Sequence, residues 1–411
     1  MFENLVNQRA SYDICSDIKR NLFPASVLYS GEHASGKLTA ALETARVLSC
    51  KSASGKKAHW TCECISCQQH RALVCSNLLV LGPRDCYPEI AAAKSTFIKA
   101  YRDNEKYISA ARYLFLRSVR KLLLRFNIIL WQGESNLSKI SSVIEDINDS
   151  LELLDYPKNL PVFDETTKLC EKITAGCLKL ESEYLYDSIP ISQIRNMEEW
   201  AQIRSEAGKK TIIIENADRM QTSVRNALLK ILEEPPADCI FILLTDRKNA
   251  VMPTILSRVR NYSFAARTIE QQKGVISRVF HNDYFNGRID EYLMTYLPVP
   301  ANVLREEAGN FYENLFKGSI PDSASLIKRC GNFEPRIELK IFLNSISEKM
   351  RGLMKTPEGC EAVSQSLKVL LNCWDNITLY NQSSLSAFEI LIRDLSKINS
   401  LNNRIFTNNL K

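Results

Sequence analysis

Three groups of residues in this 411-residue chain have types and spacings that can do chemistry. The first is Gly31-Glu32-His33-Ala34-Ser35-Gly36-Lys37, preceded by Val27-Leu28-Tyr29 and followed by Leu38, Leu42, Ala45 and Leu48 at helical spacing. Glycines let backbone N–H groups close around phosphates, the following helix N-terminus adds positive potential, and the lysine pairs with the β and γ oxygens. Gly31, Gly36 and Lys37 therefore read as a phosphate loop. The next position normally carries a Ser or Thr hydroxyl that holds Mg²⁺, but here it is Leu38. Thr39 comes one residue late, and a step of about 100° around the helix turns its hydroxyl away.

The second group follows Thr211-Ile212-Ile213-Ile214, where the chain reads Glu215-Asn216. An active ATPase of this kind ends its strand in Asp-Glu, the first residue holding Mg²⁺ through water and the second activating the attacking water. Glu215 keeps a carboxylate on a longer stem, whereas the Asn216 amide cannot accept a proton. Asp218 could serve as the base only if the strand register slipped. Two losses in one site imply that this chain does not hydrolyse nucleotide. The third group is Cys50, Cys62, Cys64 and Cys67, with His59 and Cys75 as spare ligands. A closed tetrahedron of N and S ligands is what structural zinc requires, and with no general base nearby the metal reads as structural.

Positioning these groups requires alternating strands and helices. Ile240 to Leu244 adds another buried strand ending at Thr245, and Ser223 to Leu232 reads as a helix stopped by Pro235-Pro236, so a parallel sheet covered by helices on both faces is expected. From about 86 to 187 the pattern changes to long amphipathic helices. Their first half is basic (Lys94, Lys99, Arg102, Lys106, Arg112, Arg117, Arg120, Lys121, Arg125) and their second acidic (Glu145, Asp146, Asp149, Glu152, Asp155). The simplest reading is a self-neutralising helical hairpin, packed through Leu114, Val119, Leu123 and Ile128 and projecting from the sheet domain. Beyond residue 265 the chain reads as helical, with breaks at Pro298 to Ala301 and Gly318 to Pro321.

With 45% apolar and 24% charged residues the chain cannot be globally disordered, and a net charge of +6 permits a nucleic-acid partner without requiring one. Glu3, Arg9, Asp13, Asp17 and Lys19 leave no apolar core for a signal peptide, and Arg117, Arg120, Lys121 and Arg125 interrupt the greasiest stretch, so a cytoplasmic protein is expected. In that compartment thirteen cysteines do not suggest a disulfide framework.

Further motifs join the phosphate loop and cysteine module: Leu78-Leu79-Val80-Leu81-Gly82-Pro83-Arg84, Ile191-Ser192-Gln193-Ile194-Arg195, Ala217-Asp218-Arg219-Met220, Asn226 through Pro236, and Pro253-Thr254-Ile255-Leu256-Ser257-Arg258. Together, over residues 1–85 and 188–265, they resemble the clamp-loader AAA+ family of bacterial replication, the DNA polymerase III ring that loads the sliding clamp. The resemblance implies an α/β fold. Residues 1–265 would be an AAA+ domain carrying a zinc module at about 50–67 and the helical insertion, 266–320 a helical lid, and 321–411 an all-α collar for oligomerisation. It further implies a non-hydrolysing stator, without ATPase or polymerase activity of its own, in a hetero-pentameric ring with tau/gamma and delta subunits that acts on the sliding clamp and primed DNA. Thr245 would sit at the sensor-1 position of a degenerate site with Thr39, Glu215 and Asn216. Arg258 would reach in trans into a neighbour's nucleotide site. An ATP-hydrolysing motor subunit and a DNA-binding adaptor are the alternatives. The chain departs from the family pattern in three places. Thr61 takes a knuckle position with Cys62 one residue later, Val259 follows Ser257-Arg258 where the family has cysteine, and the insertion has no counterpart.

Overall fold

The structure, a computed structural model, describes residues 1–6, 8–52, 58–82, 85–204, 208–319, 321–402 and 405–408. Pro83 and Arg84 of one family motif, and part of the cysteine module, lie outside the described residues. The chain divides into two compact units, residues 1–185 with 189–293, and residues 186–188 with 294–411.

In the first unit the described strands are β1 (Ser26–Gly31), β2 (Leu78–Leu81), β3 (Lys210–Ile214), β4 (Cys239–Thr245) and β5 (Arg260–Phe264). They form one parallel sheet in the order β2-β3-β4-β1-β5. Their near-continuous apolar runs are what a sheet covered on both faces needs, and almost every residue of β1 to β4 is buried. From β1 the chain goes to the far edge, returns through β3 and β4, and then crosses β1 to form β5. The C-terminal ends of β1, β3 and β4 therefore open on one crevice, where ligands of such sheets bind. Register places Ser30 beside Thr245 and Ile214 beside Leu243. Gly31 is where β1 and β5 come closest: a Cβ there would lie 2.4 Å from the Phe264 carbonyl oxygen.

The insertion is not a projecting hairpin. Helices Tyr87–Arg102, Ile108–Leu123, Leu137–Leu154 and Phe163–Glu183 pack against one another, and the turn Leu124–Phe126 packs on β2. Leu124 belongs to the same apolar cluster as Val27 and Ala40. Of the four expected packing residues only Val119 is fully buried, beside Phe115 and Leu122; Leu114 and Leu123 are half-buried, and Ile128 is exposed. The physical reason lies in the arginines. Arg112 donates from Nε to the Leu154 carbonyl (2.6 Å) and from Nη2 to those of Asp155 and Lys158 (both 2.8 Å), so a residue that reads as a solvated charge is an internal tie between helices. Arg120 with Asp155 joins the basic half to the acidic half as expected, whereas Lys121 pairs with Glu89 within the first half.

The second unit is helical, built on Ala301–Lys317, Ser323–Arg329, Ile337–Met350, Pro357–Thr378 and Ser384–Leu401. Its core centres on Phe311, Phe333, Phe342 and Phe388, whose rings meet at 5.1 to 6.3 Å between centroids. No helix among the described residues is long and apolar enough to cross a membrane.

Candidate nucleotide site and metal centre

The crevice gathers the residues expected there. Gly36 adopts φ 94°, a conformation glycine takes at little cost, and starts the helix Lys37–Leu48. Lys37, nearly buried, donates to the Gly31 and Glu32 carbonyls (2.8 and 2.6 Å) and pairs with Asp246 Oδ1 at 2.8 Å. An ammonium has three protons, and these three partners, with Ser35 Oγ a longer fourth at 3.3 Å, account for them. Arg267 clamps the loop from outside, donating to the Ala34 carbonyl at 2.6 Å and the Val6 carbonyl at 3.0 Å. Leu38 is half-buried against the apolar cluster under the sheet, so no hydroxyl stands at the head of the helix, and Thr39 is also half-buried.

At the end of β3 the Glu215 carboxylate pairs with the Arg125 guanidinium of the insertion. Asn216 takes φ 50°, at the turn where its carbonyl accepts from the Arg219 N–H (2.8 Å). Thr245 donates its hydroxyl to Asp218 Oδ1 at 2.7 Å, and Arg247 donates to Asp218 Oδ2 from Nε at 3.2 Å. Asp218, which follows β3, is thus engaged with the end of the neighbouring strand β4. The charged and hydroxyl groups of the crevice are largely partnered within the chain: Lys37 with Asp246, Glu215 with Arg125, Thr245 with Asp218. Asp246, Arg267 and Arg125 were not legible as site residues. Asp246 follows from register, since β4 lies beside β1. The one available signal for Arg125 was its place between Leu124 and Phe126 in an apolar run rather than on a polar face.

The four cysteines come together from the end of helix Lys37–Leu48 and the start of helix Ile65–Ala72. Their sulfurs all lie within 4.8 Å of one another, with Cys50 to Cys62 at 3.8 Å and Cys50 to Cys64 at 4.0 Å. Four sulfurs about 2.3 Å from a zinc ion would be roughly 3.8 Å apart, so the donor set fits that metal in number, chemistry and spacing. Cys50, Cys62 and Cys67 are buried and Cys64 is half-buried. Burial raises the Cys64 thiol, but the N–H groups of Cys67 and Lys51 and the neighbouring thiols outweigh it and bring it down to about 6. The spare ligands stay apart. Cys75 faces His70 Nδ1 at 3.4 Å, and His59 faces Thr61 and Glu3.

Arg46 ties this centre to the phosphate-loop helix. Its guanidinium donates to Glu43, to Cys67 Sγ at 3.3 Å, and to the His59 and Ala58 carbonyls at 3.0 and 2.8 Å, with the Trp60 ring 5.5 Å away. Burial opposes its charge, yet Glu43 and then Cys67 hold its pKa above the ordinary value. Arg258 lies at the other end of the sheet, donating to Glu233 Oε2 (2.9 Å) and to the Thr254 carbonyl (2.8 Å). Glu43 and Arg46 are both 1% exposed, and removing one partner of such a pair strands the other. Arg46→Met is expected to cost about 3–5 kcal/mol of unfolding free energy, read from urea denaturation.

The sequence profile of the family described as DNA polymerase III, delta subunit, matches residues 154–268. That span holds Glu215, Asn216, Thr245 and Arg258, and begins inside the insertion rather than after it. The chain is 33% identical over 96 residues to DNA polymerase III subunit delta' of Pseudomonas aeruginosa and 35% identical over 97 residues to that of Bacillus subtilis. These alignments take in 22% and 23% of this chain and 29% of each relative. With DNA polymerase III subunit gamma/tau of Mycobacterium tuberculosis it shares 37% identity over 70 residues, 17% of this chain and 12% of that protein. A solved gamma subunit-related protein of Thermotoga maritima aligns with 52% of this chain and 81% of its own at 17% identity, with a TM-score of 0.27, too low to bear on the fold. Over these spans, less than a third of the length of each relative, the chain is similar to subunits of the DNA polymerase III clamp loader.

Proposed function

We propose that this chain is the delta-prime-type, non-hydrolysing subunit of the DNA polymerase III clamp loader, a cytoplasmic stator of the ring that loads the sliding clamp onto primed DNA. The observation that carries the reading is Leu38, half-buried in the core at the head of the phosphate-loop helix where a Mg²⁺-holding hydroxyl belongs. The amide of Asn216 supports it independently. An ATP-hydrolysing motor subunit of the gamma/tau type needs both missing groups. A DNA-gripping adaptor draws less support from the insertion than its charge pattern suggests, because Arg112 and Arg125 are buried and Arg120 and Lys121 are paired with Asp155 and Glu89. In this reading residues 266–320 act as a lid, 321–411 as the collar toward tau/gamma and delta, and Gly31, Gly36 and Lys37 keep the loop's shape rather than its chemistry. The isolated protein is expected to show no ATP turnover. A turnover that Lys37→Ala abolishes would overturn the reading.

Arg258 is the residue through which an idle site still serves catalysis, by stabilising charge on the phosphoryl group in a neighbouring subunit. Its present pairing with Glu233 is partly exposed, with side-chain exposures of 29% and 59%, so it holds the guanidinium weakly and can exchange for a phosphate. In the reconstituted ring, Arg258→Ala should leave assembly intact and lower the DNA-stimulated ATPase of the partner at least about tenfold, given that such fingers supply roughly 10³–10⁵ in rate. Unchanged ATPase in that ring eliminates the role.

Zinc at Cys50, Cys62, Cys64 and Cys67 completes the proposal as a structural metal. It would tie the end of the phosphate-loop helix to helix Ile65–Ala72. Metal analysis should find one zinc per chain, and Cys67→Ser should bring that well below one and lower thermal stability, because ligation and local folding are coupled.

A further inference from the structure

The fold family holds a nucleotide's Mg²⁺ through the carboxylate that ends β3, and the residues of this chain do not fit that ion. We infer that Arg125 is a resident cation in the acidic half of the crevice: the helical insertion places its guanidinium on Glu215 and so excludes a divalent metal from that carboxylate. The inference deepens the reading of an idle nucleotide site and rests on it.

Four observations carry it. The Arg125 side chain is only 4% exposed and that of Glu215 17%, so neither is a surface charge in casual contact. Gly82, just beyond β2, makes room for Glu215: a Cβ there would lie 2.4 Å from Glu215 Oε2. The carboxylate thus lies over the end of β2, on the side where the insertion docks. Arg125 is also held from behind, because its carbonyl accepts from Trp131 Nε1 at 2.8 Å and the Trp131 ring stacks on Phe126 at 5.3 Å between centroids. The nearby Glu181, which could have competed for the guanidinium, instead accepts the N–H groups of Asp85, Cys86 and Tyr87 at 2.8 to 3.1 Å. Cys86 is the other titratable group close to Arg125.

A divalent ion at Glu215 would have to displace a buried guanidinium that then has no carboxylate partner, which low-dielectric surroundings oppose strongly. This differs from the losses at Leu38 and Asn216. Those remove a ligand and a base, whereas Arg125 supplies a competing charge, and reversing it is a separate experiment.

The test uses the full-length chain without nucleotide, and Mn²⁺ as the probe, read by its electron paramagnetic resonance signal. Wild type should take up no Mn²⁺ at the site. Arg125→Met should bind Mn²⁺ at least tenfold more tightly than wild type, and Arg125→Met/Glu215→Leu should lose that gain. Wild type binding Mn²⁺ as tightly as Arg125→Met, or a gain that survives in the double variant, overturns the inference. If Arg125→Met does not fold, the double variant decides: a lock made by that pair leaves it folded, and an unfolded double variant overturns it. ATP turnover by wild type would instead break the reading of an idle site, so the two failures are distinguishable.

Discussion

The buried ion pair of Arg125 with Glu215 is the contact on which the placement of the insertion depends. The only short ion-pair partner of Arg125 among the described residues is Glu215 at the end of β3, so the turn that carries it must dock against the sheet. The four insertion helices are arranged accordingly: Lys121 reaches Glu89, Arg112 reaches the carbonyls that end helix Leu137–Leu154, and Glu181 caps the start of helix Tyr87–Arg102. Breaking one member of a buried pair costs about 3–5 kcal/mol, a large part of the total stability of a domain. The insertion is therefore part of the sheet domain in energetic terms.

A second constraint runs along the helix Lys37–Leu48. Its first residue supplies the ammonium of the phosphate loop, and Arg46, in its last turn, supplies the guanidinium that reaches Cys67. The cysteine centre then meets the insertion from its other side, where Tyr113 Oη donates to the Arg71 carbonyl at 2.9 Å and Arg117 donates to the His70 and Arg71 carbonyls at the end of helix Ile65–Ala72. Unpaired carbonyls at a helix C-terminus need donors, and here the insertion provides them. Phosphate loop, cysteine cluster, insertion and β3 form a closed circuit of contacts within one unit.

Much of this was legible in the sequence because its signals are local. A phosphate loop is defined by consecutive residues between a strand and a helix, the cysteines cluster within eighteen residues, and each central strand announces itself as an apolar run. Leu38 and Asn216 could be read as losses because those positions have a fixed chemical requirement. The insertion was misread because charge patterning says what a residue carries and not where it points. Arg112, Arg120 and Arg125 look alike in sequence, yet the first ties carbonyls, the second pairs at half-exposed depth, and the third is buried against a carboxylate ninety residues away. Asp246 was missed for a related reason: its partner Lys37 is a neighbour only through the parallel pairing of β1 and β4.

The contrast between Arg125 and Arg258 shows how one residue type is assigned opposite roles by exposure. Arg125 faces a carboxylate at a depth where exchange is strongly disfavoured, so it fixes the site in a single electrostatic state. Arg258 also faces a carboxylate, but Glu233 is 59% exposed and water competes for both groups. A pair of that kind contributes roughly 0–1 kcal/mol, less than the charge-assisted hydrogen bonds that a phosphate can offer a bidentate guanidinium. The same ion-pair chemistry holds a guanidinium in place when buried and leaves it free to exchange at the rim, and it is depth, not residue identity, that separates the two.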